Sequence, residues 1–174
     1  MSRSRLPVPW RRAGLALCLL CFVACGSSEP LGQAVTVDRL LLDPDVGAPV
    51  VLLREVEGRK RVLPIWIGPG EANSIEARLQ GRTPPRPNSH DLAKRLVDRL
   101  DGSVLGIVVT DLRAGVYYAS VRLGFRGEHV DVDARPSDAI ALALRYDAPI
   151  FVRELVFELS QEAARDRQVP SLRL

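Results

Sequence analysis

Cysteine is scarce and confined to the beginning: Cys18, Cys21 and Cys25 are the only three in 174 residues. From Gly26 onward there is no thiol, which excludes a disulfide framework and a cysteine-ligated zinc centre from the body of the chain. Histidine is rarer still, with His90 and His129 alone, so no Cys/His spacing of a metal site exists. There is no G-x-S-x-G elbow and no P-loop, which removes the common signatures of serine hydrolases and nucleotide phosphate binders. A bilayer-spanning apolar run is also missing: the longest, residues 13–24, is 12 residues, too short to cross a membrane.

That short run has a context of its own. Arg3, Arg5, Arg11 and Arg12 precede it and Cys25 ends it, the layout of an export signal with a basic n-region and an apolar h-region. Phe22-Val23-Ala24-Cys25 resembles a bacterial lipobox, in which the cysteine is acylated and becomes the first mature residue. The expectation is therefore a lipoprotein signal over residues 1–24, a lipid on Cys25, and a polar tether over 25–34. An ordinary secretory signal is the alternative, since small residues before the cut suit either peptidase. Gly26 and Ser27 follow the cysteine, which favours a cell envelope location at the outer membrane, facing the periplasm. Removing the leader changes the charge balance. The whole chain carries 24 basic and 21 acidic residues; without the four leader arginines 20 face 21, a net of −1. Bulk charge then gives no attraction to nucleic acid, and any must come from local patches: Arg54, Arg59, Lys60 and Arg61, or Arg78, Arg82 and Arg86.

Hydrophobic periodicity predicts strands over residues 35–42, 50–56 and 61–67, a helix over 71–80, and a Pro-rich crossing over 82–87. A second helix follows to Leu100, capped by Asn88 or Ser89, with Leu92, Leu96, Val97 and Leu100 as its apolar stripe. Strands over 104–110 and 116–125 and a short one ending at Asp133 form a second antiparallel run. The next segment, His129 to Leu144, is the most informative. Val130 and Val132 alternate with Asp131 and Asp133; then Pro136 fixes φ, Ser137 or Asp138 can cap, and residues 139–144 are apolar on every side. That helix is predicted to be central and buried. A strand over 148–153 and a terminal helix from about 156 complete a single domain. The fold class is α+β, a mixed, largely antiparallel sheet with three to four helices.

The His129–Leu144 segment closely resembles the signature of the bifunctional nuclease domain family. The resemblance continues through Leu63-Pro64-Ile65-Trp66-Ile67-Gly68 with Glu71 just after, His90-Asp91-Leu92, Thr110-Asp111-Leu112-Arg113 with Gly115, and Tyr117-Tyr118-Ala119. It places a bifunctional nuclease-like domain over residues 35–158, followed by a helix or tail over 159–174. What it implies is hydrolysis of DNA and RNA phosphodiester bonds, with nucleic acid as partner.

Phosphodiester hydrolysis needs an activated water and neutralised phosphoryl oxygens, which carboxylate-bound divalent ions commonly supply. Asp111 and Asp133 end strands and Asp138 opens a helix, so these three, with Glu71, are the expected ligands for Mg²⁺ or Mn²⁺ and, with His90, the expected catalytic groups. Capping alone also explains acids at such positions. His90-Asp91 has the chemistry of a general acid or base. Arg113 and Arg135 are expected to hold substrate phosphate, Arg135 otherwise pairing with Asp133 or Asp138. Trp66, Tyr117 and Tyr118 can stack bases, although Trp66 lies in a strand context that suits core or interface. A homo-oligomer is expected. The rival to an envelope nuclease is a non-catalytic envelope module that binds a protein or small ligand on the same fold.

Overall fold

A computed structural model describes residues 31–168. The leader, Cys25, most of the 25–34 tether and the last six residues lie outside the described residues, and among those described no helix is long and apolar enough to cross a membrane.

The chain begins as a three-stranded antiparallel meander, β1 (Gln33–Leu42), β2 (Pro49–Glu55) and β3 (Val62–Trp66). Two helices follow, α1 (Pro69–Leu79) and α2 (Ser89–Arg99), separated by the proline-rich crossing. A second meander is formed by β4 (Ser103–Arg113), β5 (Val116–Phe125) and β6 (Glu128–Ala134). Then come α3 (Pro136–Tyr146), the three-residue β7 (Ile150–Val152) and α4 (Glu154–Gln168). All seven strands belong to one sheet in the order β3-β2-β1-β7-β4-β5-β6. β7 joins the meanders: it runs antiparallel to β1 and parallel to β4. The expected mixed, largely antiparallel α+β domain with up to four helices is what the structure contains.

The reason the sheet seals against α3 is steric. Ala139, Ala141 and Ala143 are fully buried together with Ile140, and small side chains let a helix lie close upon strands. Opposite them the alternate residues of β4 and β5, Ile107, Val109, Ala119 and Val121, join the same cluster. Phe157 and Val156 of α4 extend the cluster. The β2–β3 hairpin is tied to α4 by Arg61, which pairs with both Glu55 and Glu154 at 2.6 Å and lies over the Phe157 ring. This engages two of the four members of one basic patch read from the sequence: Arg61 is paired here and Arg54 binds Asp38 at 3.0 Å, so neither extends as an unpaired cation.

Two sequence expectations are corrected by local geometry. The α3 N-cap is Arg135, without a side-chain cap hydrogen bond, so neither Ser137 nor Asp138 caps the helix. Of the two places expected for Trp66, core or interface, the core is corrected: the residue is 39% exposed, because β3 is an edge strand and the indole reaches out to Asp43 at 2.9 Å. The α2 stripe exists, yet Leu92, Leu96 and Leu100 are all more than half exposed.

If α3 is the keystone of the core, trimming it should be expensive. Ile140→Ala is expected to lower unfolding free energy by about 2–5 kcal/mol, measured by urea denaturation; a loss well under 1 kcal/mol would show that the helix is not packed as described.

Candidate functional site

The first turns of α1 and α3 lie side by side, each opened by a proline that has no N–H to lose. Arg135, the residue before α3, spans them. Its guanidinium holds Asp138 through Nε at 2.7 Å and Nη2 at 3.1 Å, and Glu71 of α1 through Nη2 at 2.6 Å. A forked cation between two carboxylates gives charge-assisted bonds of fixed direction. The Arg135 side chain is 67% exposed while Glu71 and Asp138 are 20% and 31% exposed, so the cation faces solvent from an anionic base. Glu71 folds back over Gly68, so that a Cβ at position 68 would require the Glu71 carboxylate to shift.

Behind this pair lies a buried polar network whose proton positions follow from counting. Asn88 caps α2: its Oδ1 accepts the Asp91 N–H, and Asp91 accepts the Asn88 N–H. The Asn88 amide is thereby oriented with Nδ2 donating to Ser74 Oγ at 3.0 Å. Arg145 Nη2 donates to the same oxygen at 3.0 Å. With both acceptor sites of the hydroxyl filled, its one proton goes to the remaining neighbour, His90 Nδ1 at 2.9 Å. His90 therefore accepts at Nδ1 and carries its proton on Nε2, which donates to Asp138 Oδ1 at 3.0 Å. Burial opposes ionisation of Asp138 most strongly, but the hydrogen bonds from Arg135 and His90, with the Arg135 charge, outweigh it and hold the carboxyl below its ordinary range.

The sequence-predicted residues divide accordingly. Glu71, His90, Arg135 and Asp138 come together. His90 partners Asp138 and Ser74, not its neighbour Asp91, which is occupied by the α2 cap and by Arg145 at 2.7 Å. Asp111 stands apart on β4, bonded to the Leu112 N–H at 2.8 Å and to Arg113 at 2.6 Å, contacts that lower its pKa; Arg113 also lies over the Tyr118 ring. Asp133 is exposed and pairs across strands with Ser120, which alternates with buried Ala119 and Val121, so it lies on the sheet face away from α3. Among the described residues no three His, Cys, Asp or Glu side chains gather to hold a metal ion. Asp111, Asp133, Asp138 and Glu71 thus do not make the shared Mg²⁺ or Mn²⁺ site expected from the sequence; between the two acids that do meet, a guanidinium supplies the positive charge.

Ser74, Asn88, Arg145 and Gly68 were not anticipated as site residues. A serine next to Ile75 in a predicted helix and an arginine directly after the apolar run of residues 139–144 were the available signals. The site opens onto a cleft of about 380 Å³ whose lining includes Trp66, Gly68, Tyr117, Arg135 and Ser137. Two aromatic rings and an exposed guanidinium around one concavity can receive a flat base and an anion together. A larger concavity of about 630 Å³ on the other sheet face has Arg122 already bonded to Asp131 through two nitrogens.

Comparison with known proteins bears on this geometry. The bifunctional nuclease domain model matches residues 51–165. An uncharacterized protein of Mycobacterium tuberculosis is 45% identical over 108 residues, 62% of this chain and 63% of the relative. Bifunctional nuclease 1 of Arabidopsis thaliana is 29% identical over 109 residues, covering 61% of this chain and 34% of the plant protein. Bifunctional nuclease 1 of Oryza sativa subsp. japonica is 27% identical over 109 residues, with 61% and 33% covered. The matched region thus spans less than two thirds of the mycobacterial relative and about a third of the plant proteins.

The Asp138 pairing has a pH signature. Its carboxyl titrates lower in the folded chain than at the ordinary 3.8 of the unfolded one, so it contributes stability that is complete above that value and disappears as pH falls through the folded one. The stability advantage of wild type over Asp138→Asn is expected to shrink as pH drops from about 4 toward 2, read by denaturant melts at each pH. An advantage that grows on acidification would contradict the pairing.

Proposed function

The chain belongs to the bifunctional nuclease domain family, and from that premise we propose that it hydrolyses the phosphodiester bonds of DNA and RNA at the cleft where Arg135 meets Glu71 and Asp138. The observation that carries this reading is the exposed Arg135 fork held between the two acids. A phosphodiester brings two non-bridging oxygens that suit the same fork. In taking them Arg135 loosens from Glu71, whose Oε2 has no hydrogen bond among the described residues, and Glu71 can then accept a proton from an attacking water. The new P–O bond forms from that water; the bond to the leaving oxygen breaks, and the leaving oxygen takes a proton from bulk water. Asp138 keeps Arg135 aimed, and His90, with 9% of its side chain exposed, is a positioning residue that fixes Asp138. Trp66 and Tyr117 offer stacking surfaces for the flanking bases.

A second reading is a non-catalytic module that binds a ligand in the same cleft. One observation favours it: both acids of the cleft, Glu71 and Asp138, are already paired with Arg135, an arrangement that suits holding a ligand as well as it suits chemistry. Incubating the full chain with single- and double-stranded DNA and with RNA, in Mg²⁺, in Mn²⁺ and in chelator, separates the two. Cleavage is expected, with Arg135→Ala and Glu71→Gln each lowering kcat/KM about 10²-fold or more without loss of folding. No cleavage under any of these conditions would favour the binding module.

We also place the protein in the bacterial envelope, anchored through a lipid on Cys25 and facing the periplasm from the outer membrane. The support is the basic and apolar leader ending at that cysteine. Self-association has its support in the leucines left uncovered along α2. Cys25→Ser is expected to move the protein from the membrane to the soluble fraction of expressing cells; unchanged membrane residence would remove the anchor.

A further inference from the structure

At the other end of α1 from Gly68 lies a second cleft, of about 390 Å³, between the helix, the proline-rich crossing and α2. Its charged lining is one-sided: Arg78, Arg82, Lys94, Arg95 and Arg145 face a single carboxylate, Asp91. Two of these cations are committed, Arg145 to Asp91 and Lys94 to Asp98, each at 2.7 Å. The other three have no close carboxylate to neutralise them. Arg78 donates through Nε to the neutral Leu144 carbonyl at 2.8 Å and Arg82 through Nε to the Gln80 amide oxygen at 2.7 Å, while their nearest acids, Asp147 at 3.4 Å and Glu76 at 3.7 Å, are themselves well exposed. Arg95 is exposed and has no ion pair among the described residues. Like charges held this close in a concavity raise the local potential and draw polyanions.

The wall is rigid as well as basic. Thr83, Pro84, Pro85 and Pro87 line it, and proline backbone loses little freedom when a ligand docks. No aromatic side chain lines the cleft, so it offers charge without a stacking surface. A site of this kind holds phosphates and leaves bases unread. It is also linked to the cleft at Arg135. Asn88 and Arg145 line it and both donate to Ser74, which donates to His90, which donates to Asp138. From Pro69 to Arg78 the separation along α1 is about 14 Å by helix rise.

We propose that this basic cleft binds the phosphodiester backbone of the single strand whose scissile bond sits at Arg135, a few nucleotides away. This rests on the nuclease reading of the Arg135 site. A single strand threads a cleft of this volume, whereas a duplex does not enter it. The backbone chemistry is common to DNA and RNA, so both strands are held alike. A dinucleotide bound at Arg135 is too short to reach the second cleft.

The test is equilibrium binding of fluorescent oligomers to the full chain carrying Glu71→Gln, compared with the same chain carrying Arg78→Ala and Arg95→Ala in addition. Oligothymidylate and oligouridylate of 12 and of 2 nucleotides are titrated across a salt series. For the 12-mers the added substitutions are expected to weaken binding at least tenfold and to reduce the slope of log affinity against log salt by about 1.4, two contacts at about 0.7 each. DNA and RNA should lose alike. Unchanged 12-mer affinity and slope, or equal loss for dinucleotide and 12-mer, would overturn the proposal. Thermal melting verifies that both variants fold, and a charge-retaining Arg78→Lys, Arg95→Lys chain should recover most of the affinity. Cleavage by the wild-type chain is followed in parallel: its absence counts against hydrolysis at Arg135, whereas the salt slopes decide whether the basic cleft holds a backbone.

Discussion

A serine hydroxyl has one proton to give and two lone pairs to receive with, and at Ser74 all three are committed. That constraint runs outward through the molecule. Because Asn88 and Arg145 fill the acceptor sites, the proton must go to His90 Nδ1, and the opposite ring nitrogen must donate to Asp138. Asp138, so held, presents its second oxygen to Arg135. Three helices supply the network, α1 with Ser74, α2 with His90 and its cap Asn88, and α3 with Asp138 and Arg145. The polar contacts thus do for orientation what apolar packing cannot: α1, α2 and α3 are set in one register relative to each other, and the exposed guanidinium inherits that register.

Burial explains why such a network survives inside a fold whose cluster is otherwise aliphatic. Ser74, His90 and Arg145 are all buried, and an unpaired group at any of the three positions would carry the full cost of leaving water. Their mutual satisfaction removes that cost. It also makes the set cooperative, since losing one member strands its partners. The exposed end is different in character. Arg135 lies mostly in solvent, where it can exchange one anionic partner for another at small cost, and this contrast between a fixed interior and an exchangeable tip is what the hydrolytic reading draws upon.

The sequence carried the strands and helices because their periodicities are local, and the abrupt change of period between Val132 and Ala139 marked α3 as central before any tertiary information. It also named Glu71, His90, Arg135 and Asp138. What it did not carry was which acids face one another. Asp111 and Asp133 sit at strand ends like those of many active sites, yet strand pairing turns Asp133 to the far face and the two-residue repeat of β4 sets Asp111 beside Arg113, which binds it. Such facing depends on sheet order, and the order places the last strand in the middle, which no local pattern encodes. Ser74 and Arg145 were hidden for a related reason: each reads as an ordinary helical residue until its partners arrive from elements 14 to 71 positions away.

The position of β7 has a consequence for how the molecule comes into being. Only three residues, Ile150 to Val152, bridge the two meanders, and they emerge from synthesis after everything they join. Until then each meander exposes an open edge, β1 on one side and β4 on the other, and such edges recruit foreign strands. A chain synthesised in order therefore holds two sticky half-sheets awaiting a late clasp, and the distant closure is entropically slow. Chaperone demand during biogenesis, rather than final stability, is where a weakened clasp would first be felt.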